Sequence, residues 1–183
     1  MDSMLKEKLL KIQNQVNIMQ TKYYDLWYDE ILFSWRWWLT LILATIPWII
    51  WIKFRKKEST DRLLYVALFV IGISSWLDFL GLQLGLWFYP VDLVPSIPAY
   101  ISYDFCILPV TYMGFIQIRP KVSPLLKGIT IGVINAFIAE PILIALDMYV
   151  ESNNWSKGYS FIIYVLIYLV AHKISRRSKF KSI

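Results

Sequence analysis

Apolar runs of about twenty residues recur along this chain, over residues 31–52, 63–86, 99–118, 127–146 and 155–171. Few folds are open to such a sequence. A run of that length matches the hydrocarbon core of a bilayer, where every backbone N–H and C=O must be satisfied within the spanning structure itself. The expected fold is an all-α, polytopic membrane helix bundle of about five transmembrane helices. Composition agrees: 57% of the 183 residues are hydrophobic and only 17% charged, with a mean hydropathy of +0.50. Those values exclude nucleic-acid modules and small secreted disulfide scaffolds. The single cysteine, Cys106, rules out an intrachain disulfide.

The net charge of +6 is gathered between the runs. Residues 53–62 carry five basic side chains, 119–127 carry three, and the tail 173–183 carries five. By contrast, 87–98 carries none and 147–158 only Lys157. Cytoplasmic loops retain Lys and Arg, so this alternation predicts a cytoplasmic carboxyl terminus and an external amino terminus. The leading segment complicates that orientation, because Lys6, Lys8, Lys11, Lys22 and Arg36 would all lie outside, offset by five acids. No cleavable signal peptide is expected. Trp27, Tyr28, Trp35, Trp37 and Trp38 are expected to mark the outer boundary, and Trp48 and Trp51 the inner one.

Residues 1–30 read as an amphipathic helix on the outer side. Leu5, Leu9, Ile12, Val16, Met19, Tyr23 and Leu26 follow alternating steps of four and three residues. Two readings fit such a seam: a helix lying on the outer leaflet, or a coiled coil that joins two copies into a homo-oligomer.

The chemistry is sought among polar groups that a bilayer penalises. Asp78, Asp104 and Glu140 fall within the second, third and fourth runs, with no Lys or Arg beside them in those runs. A carboxylate at a helix centre costs about 2.5–3.5 kcal/mol on insertion scales, so three in one bundle imply a use. Counted from the flanking charges at about 1.5 Å per residue, all three lie about 20–22 Å from the inner boundary. They are expected to share one level and to form one coupled site. Ser74, Ser75, Gly81 and Gly85 share a helix side with Asp78, and Gly81 with Gly85 reads as a small-residue pair for close helix approach; Gly128, Gly132 and Ala136 lead to Glu140 in the same way. Pro109 and Pro141 should free the carbonyls of Phe105 and Phe137 near the acids. Asn135 is expected to lie off the Glu140 face.

Residues 87–98, aromatic and holding three prolines, cannot be a regular helix throughout. They are expected to cap the bundle, with Trp87 and Tyr89 roofing the acids. Tyr103 and Tyr112 complete the expected ligand-binding set. No metal site and no cofactor are expected: there is no zinc-type His or Cys spacing and no phosphate-binding glycine loop, and the lone His172 sits beside Lys173 at a boundary.

Pro47-Trp48-Ile49-Ile50-Trp51, Trp76-Leu77-Asp78, Gly85-Leu86-Trp87-Phe88-Tyr89-Pro90, Leu108-Pro109 and Glu140-Pro141 together resemble a family of uncharacterised small multi-pass proteins from spore-forming Gram-positive bacteria. The resemblance implies a bacterial plasma membrane and no particular activity. The Trp87 segment and residues 98–105 also resemble, locally, the membrane modules of bacterial carotenoid and lycopene cyclases, although only Asp104 follows where those modules carry paired acids. Three functions fit these residues: binding or acting on an amphipathic or isoprenoid lipid, proton-linked transport or sensing, and a non-catalytic membrane scaffold. Membrane lipids are the expected partners.

Overall fold

The computed structural model describes residues 2–152 and 154–177, so the end of the basic tail, 178–183, lies outside the described residues. Its first helix, α1 (Ser3–Leu26), contains neither Gly nor Pro and is capped by Asp2, whose carboxylate accepts from the Met4 amide at 3.2 Å. None of its residues is buried. It runs into a π turn, Trp27–Ile31, and the chain then breaks at Phe33, which has a φ of 62°. Ser34 caps α2 (Trp35–Phe54) by accepting from the Trp37 amide, so the first apolar helix starts four residues later than the run at 31 suggests.

Among the described residues, four helical stretches are long and apolar enough to cross a membrane: Trp35–Phe54, Lys57–Gln83, Pro124–Ala145 and Lys157–Ser175. The second consists of a 3-10 turn and α3 (Thr60–Gln83). The third comprises α5 (Pro124–Ile134), a π turn at Asn135–Ala139, and α6 (Glu140–Ala145). The fourth is α7 (Lys157–Ser175). The run at 99–118 forms a shorter helix, a π turn over Ser102–Ile107 leading into α4 (Leu108–Gln117). This is the best-enclosed segment of the bundle: Ser102, Tyr103, Asp104, Cys106, Leu108, Pro109, Tyr112 and Met113 are all buried. The helix is therefore enclosed by protein over much of its length.

Both π turns in the bundle close immediately before a proline. Leu108 N–H donates to the Tyr103 carbonyl, five residues back, and Pro109 follows; Glu140 N–H donates to that of Asn135, and Pro141 follows. A proline ring collides with the carbonyl four residues earlier, and a wider turn moves that carbonyl aside. The Phe105 carbonyl so released accepts from Trp48 Nε1 at 3.0 Å. Trp48 thus ties α2 to the central helix, and Trp51 is buried with Leu63, Ala67 and Met113.

Gly85 also departs from its expected role. It adopts a φ of 65° and ends α3, with Leu86 N–H reaching the Gly81 carbonyl and Gly85 N–H that of Leu82. That is a Schellman closure, not a helix-packing glycine. Gly128 and Gly132 do lie in a close contact, against Tyr168, Val165 and Phe161 of α7. The main core joins Val66 and Val70 of α3 to Tyr112, Ile131, Ile167 and Tyr168.

At one end of the bundle, β1 (Trp87–Phe88) pairs antiparallel with β2 (Val150–Glu151), which holds the 84–100 and 146–156 connections together. The other end carries the basic connections. There Gln117 donates to the Phe54 carbonyl and accepts from the Lys56 amide, while Lys127 Nζ donates to the carbonyls of Phe115 and Ile118, both at 2.6 Å.

Candidate functional site: an acidic cavity under an aromatic roof

Asp78 lies on α3 one turn before Leu82 and is buried. Its carboxylate takes three donors: Trp87 Nε1 at 2.6 Å and Tyr89 OH at 2.8 Å on Oδ1, and the Tyr100 amide at 2.7 Å on Oδ2. The Schellman turn at Gly85 aims residues 87–89 back across the end of α3. Gly81 makes room for them, because a Cβ there would stand 1.9 Å from the Trp87 ring.

The roof is built from stacked rings. Tyr89 lies parallel to Tyr100 with centroids 4.5 Å apart and leans on Tyr149 at 5.4 Å; Trp87 meets Trp155 edge-on at 4.7 Å. Trp155 is itself fixed by donating Nε1 to Ser160 Oγ at 2.9 Å. Burial, and next the Asp78 charge, push the Tyr89 phenol well above its ordinary value, which keeps it a donor to Asp78.

Asp104 comes from the π turn and is directed at Asp78 and Ser74, yet its Oδ2 is buried without a hydrogen-bond partner. Glu140 follows the second π turn. Its Oε1 accepts from Tyr164 OH at 2.9 Å, whereas Oε2 is also buried and unpartnered. Between these acids and the roof lies a cavity of about 80 Å³, lined in part by Asp78, Asp104, Glu140, Trp87, Tyr89 and Tyr103. The chain thus brings six of the seven expected site residues to one cavity. Tyr112 is the exception: it is fully buried in the core beneath, with its OH donating to the Tyr164 carbonyl at 2.8 Å. Asn135 also differs from expectation. The π turn carries it inward, where Tyr103 OH donates to its Oδ1 while its Nδ2 donates to the Ile131 carbonyl.

No family model, curated protein or solved structure matches this chain.

Sequence reasoning missed Tyr100, Tyr149, Trp155, Ser160 and Tyr164, all of which line the cavity. One signal was readable. Ser160, Tyr164 and Tyr168 recur every four residues on α7, a polar stripe in an apolar helix. Among the described residues no three His, Cys, Asp or Glu side chains group closely enough to hold a metal ion. The arrangement offers one carboxylate saturated by the protein and two with open acceptor positions beside aromatic rings. It suits a guest that donates hydrogen bonds at one end and is apolar at the other.

Proposed function

We propose that the protein is a five-span membrane protein whose cavity binds an amphipathic lipid, of isoprenoid or similar type, through a hydroxyl or amine head group. The observation that carries this reading is the pair of buried, unpartnered carboxylate oxygens, Asp104 Oδ2 and Glu140 Oε2, on residues lining one cavity. A buried acceptor without a partner costs about 1–3 kcal/mol, which a donor on the guest recovers. The fifth span is the central helix: about 24 Å long at 1.5 Å per residue, it needs no lipid-facing length of its own because the longer helices surround it. Lipids are the source of guest, given a cavity walled by helices that expose large apolar side chains such as Leu80, Ile142 and Ile162 elsewhere on their surfaces.

A proton-linked carrier or sensor is the second reading. It is favoured by one specific feature, the succession of polar side chains Asp78, Asp104, Tyr103, Asn135, Tyr164 and Glu140 through the bundle interior. Native mass spectrometry of the purified protein with its co-extracted lipids separates these readings. Binding predicts a stoichiometric molecule retained by the parent and depleted about tenfold or more by Asp104→Asn with Glu140→Gln. A parent that retains nothing, yet conducts protons in liposomes until Asp104 is replaced, supports the carrier. A parent that does neither is a scaffold.

A further inference from the structure

The end of the bundle remote from the acids holds a second cavity, of about 190 Å³, among the 55–59 connection, α3, α4 and α7. By the same measure one water needs only about 10–15 Å³. Its wall carries Lys56, Arg62, His172 and Arg176, with the hydroxyls of Ser59 and Ser175 between them, and no acid. Leu63 and Ile116 form an apolar floor.

Like charges gathered around a cleft repel one another, and native proteins ordinarily interleave acids among them. Here Glu58 and Asp61 lie near in sequence but neither lines the cavity, and among the described residues the ion pairs are Lys11 with Glu7 and Arg36 with Asp147, both elsewhere. Lys127, also close to Arg176 and His172, is spent on the Phe115 and Ile118 carbonyls, where it neutralises the negative end of α4. Arg176 donates one Nη2 bond to the Pro120 carbonyl at 3.1 Å, which orients its guanidinium over the cavity mouth. Lys56 binds the fold through its backbone amide, leaving the ammonium group available. Ser59 makes no side-chain cap bond to α3.

We propose that this cavity is a site for a phosphate ester, held by Lys56, Arg62 and Arg176 with the Ser59 hydroxyl as a supplementary donor. The chemistry is that of a compact polyanion: convergent cations, no carboxylate in the lining, and room for a tetrahedral group with its waters. Both a phospholipid head group and a soluble phosphate present that group. The apolar floor and the flanking exposed side chains of Leu64 and Ile118 would lie along acyl chains in the first case.

The test uses the full chain in detergent. Native mass spectrometry compares retention of phosphatidylglycerol with phosphatidylcholine, and calorimetry measures inorganic phosphate, for the parent, for Lys56→Gln with Arg62→Gln, and for Lys173→Gln with Arg177→Gln as a charge-matched control outside the cavity. The cavity variant should lose phosphatidylglycerol about thirtyfold, at about 1 kcal/mol per basic side chain, while the control holds it. If inorganic phosphate binds the parent and displaces the lipid, the soluble source is also served. Equal retention of both lipids by the parent, with no phosphate heat, overturns the site. So does an equal loss in cavity variant and control, since the effect would then follow net charge alone. Both pairs are exposed, and unchanged melting temperatures confirm that each variant is folded.

Discussion

Asp78 and Asp104 are the same residue type in the same cavity, but their surroundings assign them different work. Asp78 is saturated by an indole, a phenol and a backbone amide, so its carboxyl group is a structural clamp on residues 87–100. Asn in its place would turn an NH2 group toward at least one of those donors. Asp78→Asn should therefore lower the melting temperature markedly, by the equivalent of about 2–4 kcal/mol, and by more than Asp104→Asn, whose Oδ2 has no donor to lose. Thermal unfolding of the two variants in one detergent checks this. Equal destabilisation would show that the two acids share one structural role. Gly81 supplies a companion test: Gly81→Ala places a methyl group inside the Trp87 ring, should cost about 1–3 kcal/mol, and should shift the Trp fluorescence as the Asp78 bond opens. Unchanged fluorescence would mean that the ring is not seated there. That the three acids meet at one level, lining one cavity, was legible by counting from the basic loops. The need for Gly81 was not, because a ring arriving from six residues later leaves no periodic trace in the sequence.

At the scale of elements, α1 is the one long helix without a packing partner among the described residues, and it meets the bundle only at its carboxyl end. Tyr23 OH donates to Asp92 Oδ2 at 2.8 Å, and Trp27 Nε1 donates to the Asp92 carbonyl at 2.8 Å in the π turn that follows. Burial pushes the Asp92 carboxyl up to about 7, opposed by the Tyr23 hydrogen bond and assisted by the Asp78 charge. Among these causes Tyr23 is the one group from α1, and its hydrogen bond lowers the value, so docking favours the ionised carboxylate. This contribution is present above the undocked value and is lost as pH falls through about 7. A spin label at Lys22 should be more mobile at pH 5 than at pH 8, and Asp92→Asn should abolish most of that difference. A label equally mobile at both values would place the titration elsewhere. The heptad seam of α1 was plain in the sequence, since period alone encodes it. The π turns were not: a proline in a helix announces a freed carbonyl, but whether the helix kinks or widens depends on partners such as Trp48, which lies 57 positions away from Phe105. That widening decided the inward placement of Asn135.

At the scale of the whole molecule, the two ends of the bundle are chemically opposite. One gathers Lys56, Arg62 and Arg176 around a cavity; the other gathers Trp87, Tyr89, Tyr149 and Trp155 around a roof. The apolar runs were read correctly as helices because hydrophobic length is a local property, but the enclosure of the central helix was not, since that depends on which neighbours shield it from lipid. Charge asymmetry between the ends also bears on orientation. A bilayer retains basic connections on the cytoplasmic side, so the end with Lys56 should face the cytoplasm and the aromatic roof the exterior. The amino-terminal segment opposes this with Lys6, Lys8, Lys11 and Lys22, but α1 also carries Glu7 and Asp25, and Lys11 is paired with Glu7 at 2.9 Å. Single cysteines introduced at Lys56 and at Ser96, in a Cys106→Ser background, decide the matter in intact cells. An impermeant maleimide should label Ser96→Cys and spare Lys56→Cys until the membrane is opened. The reverse pattern would turn the molecule over, bringing the acidic cavity beneath the cytoplasmic leaflet and the proposed phosphate site to the outer surface.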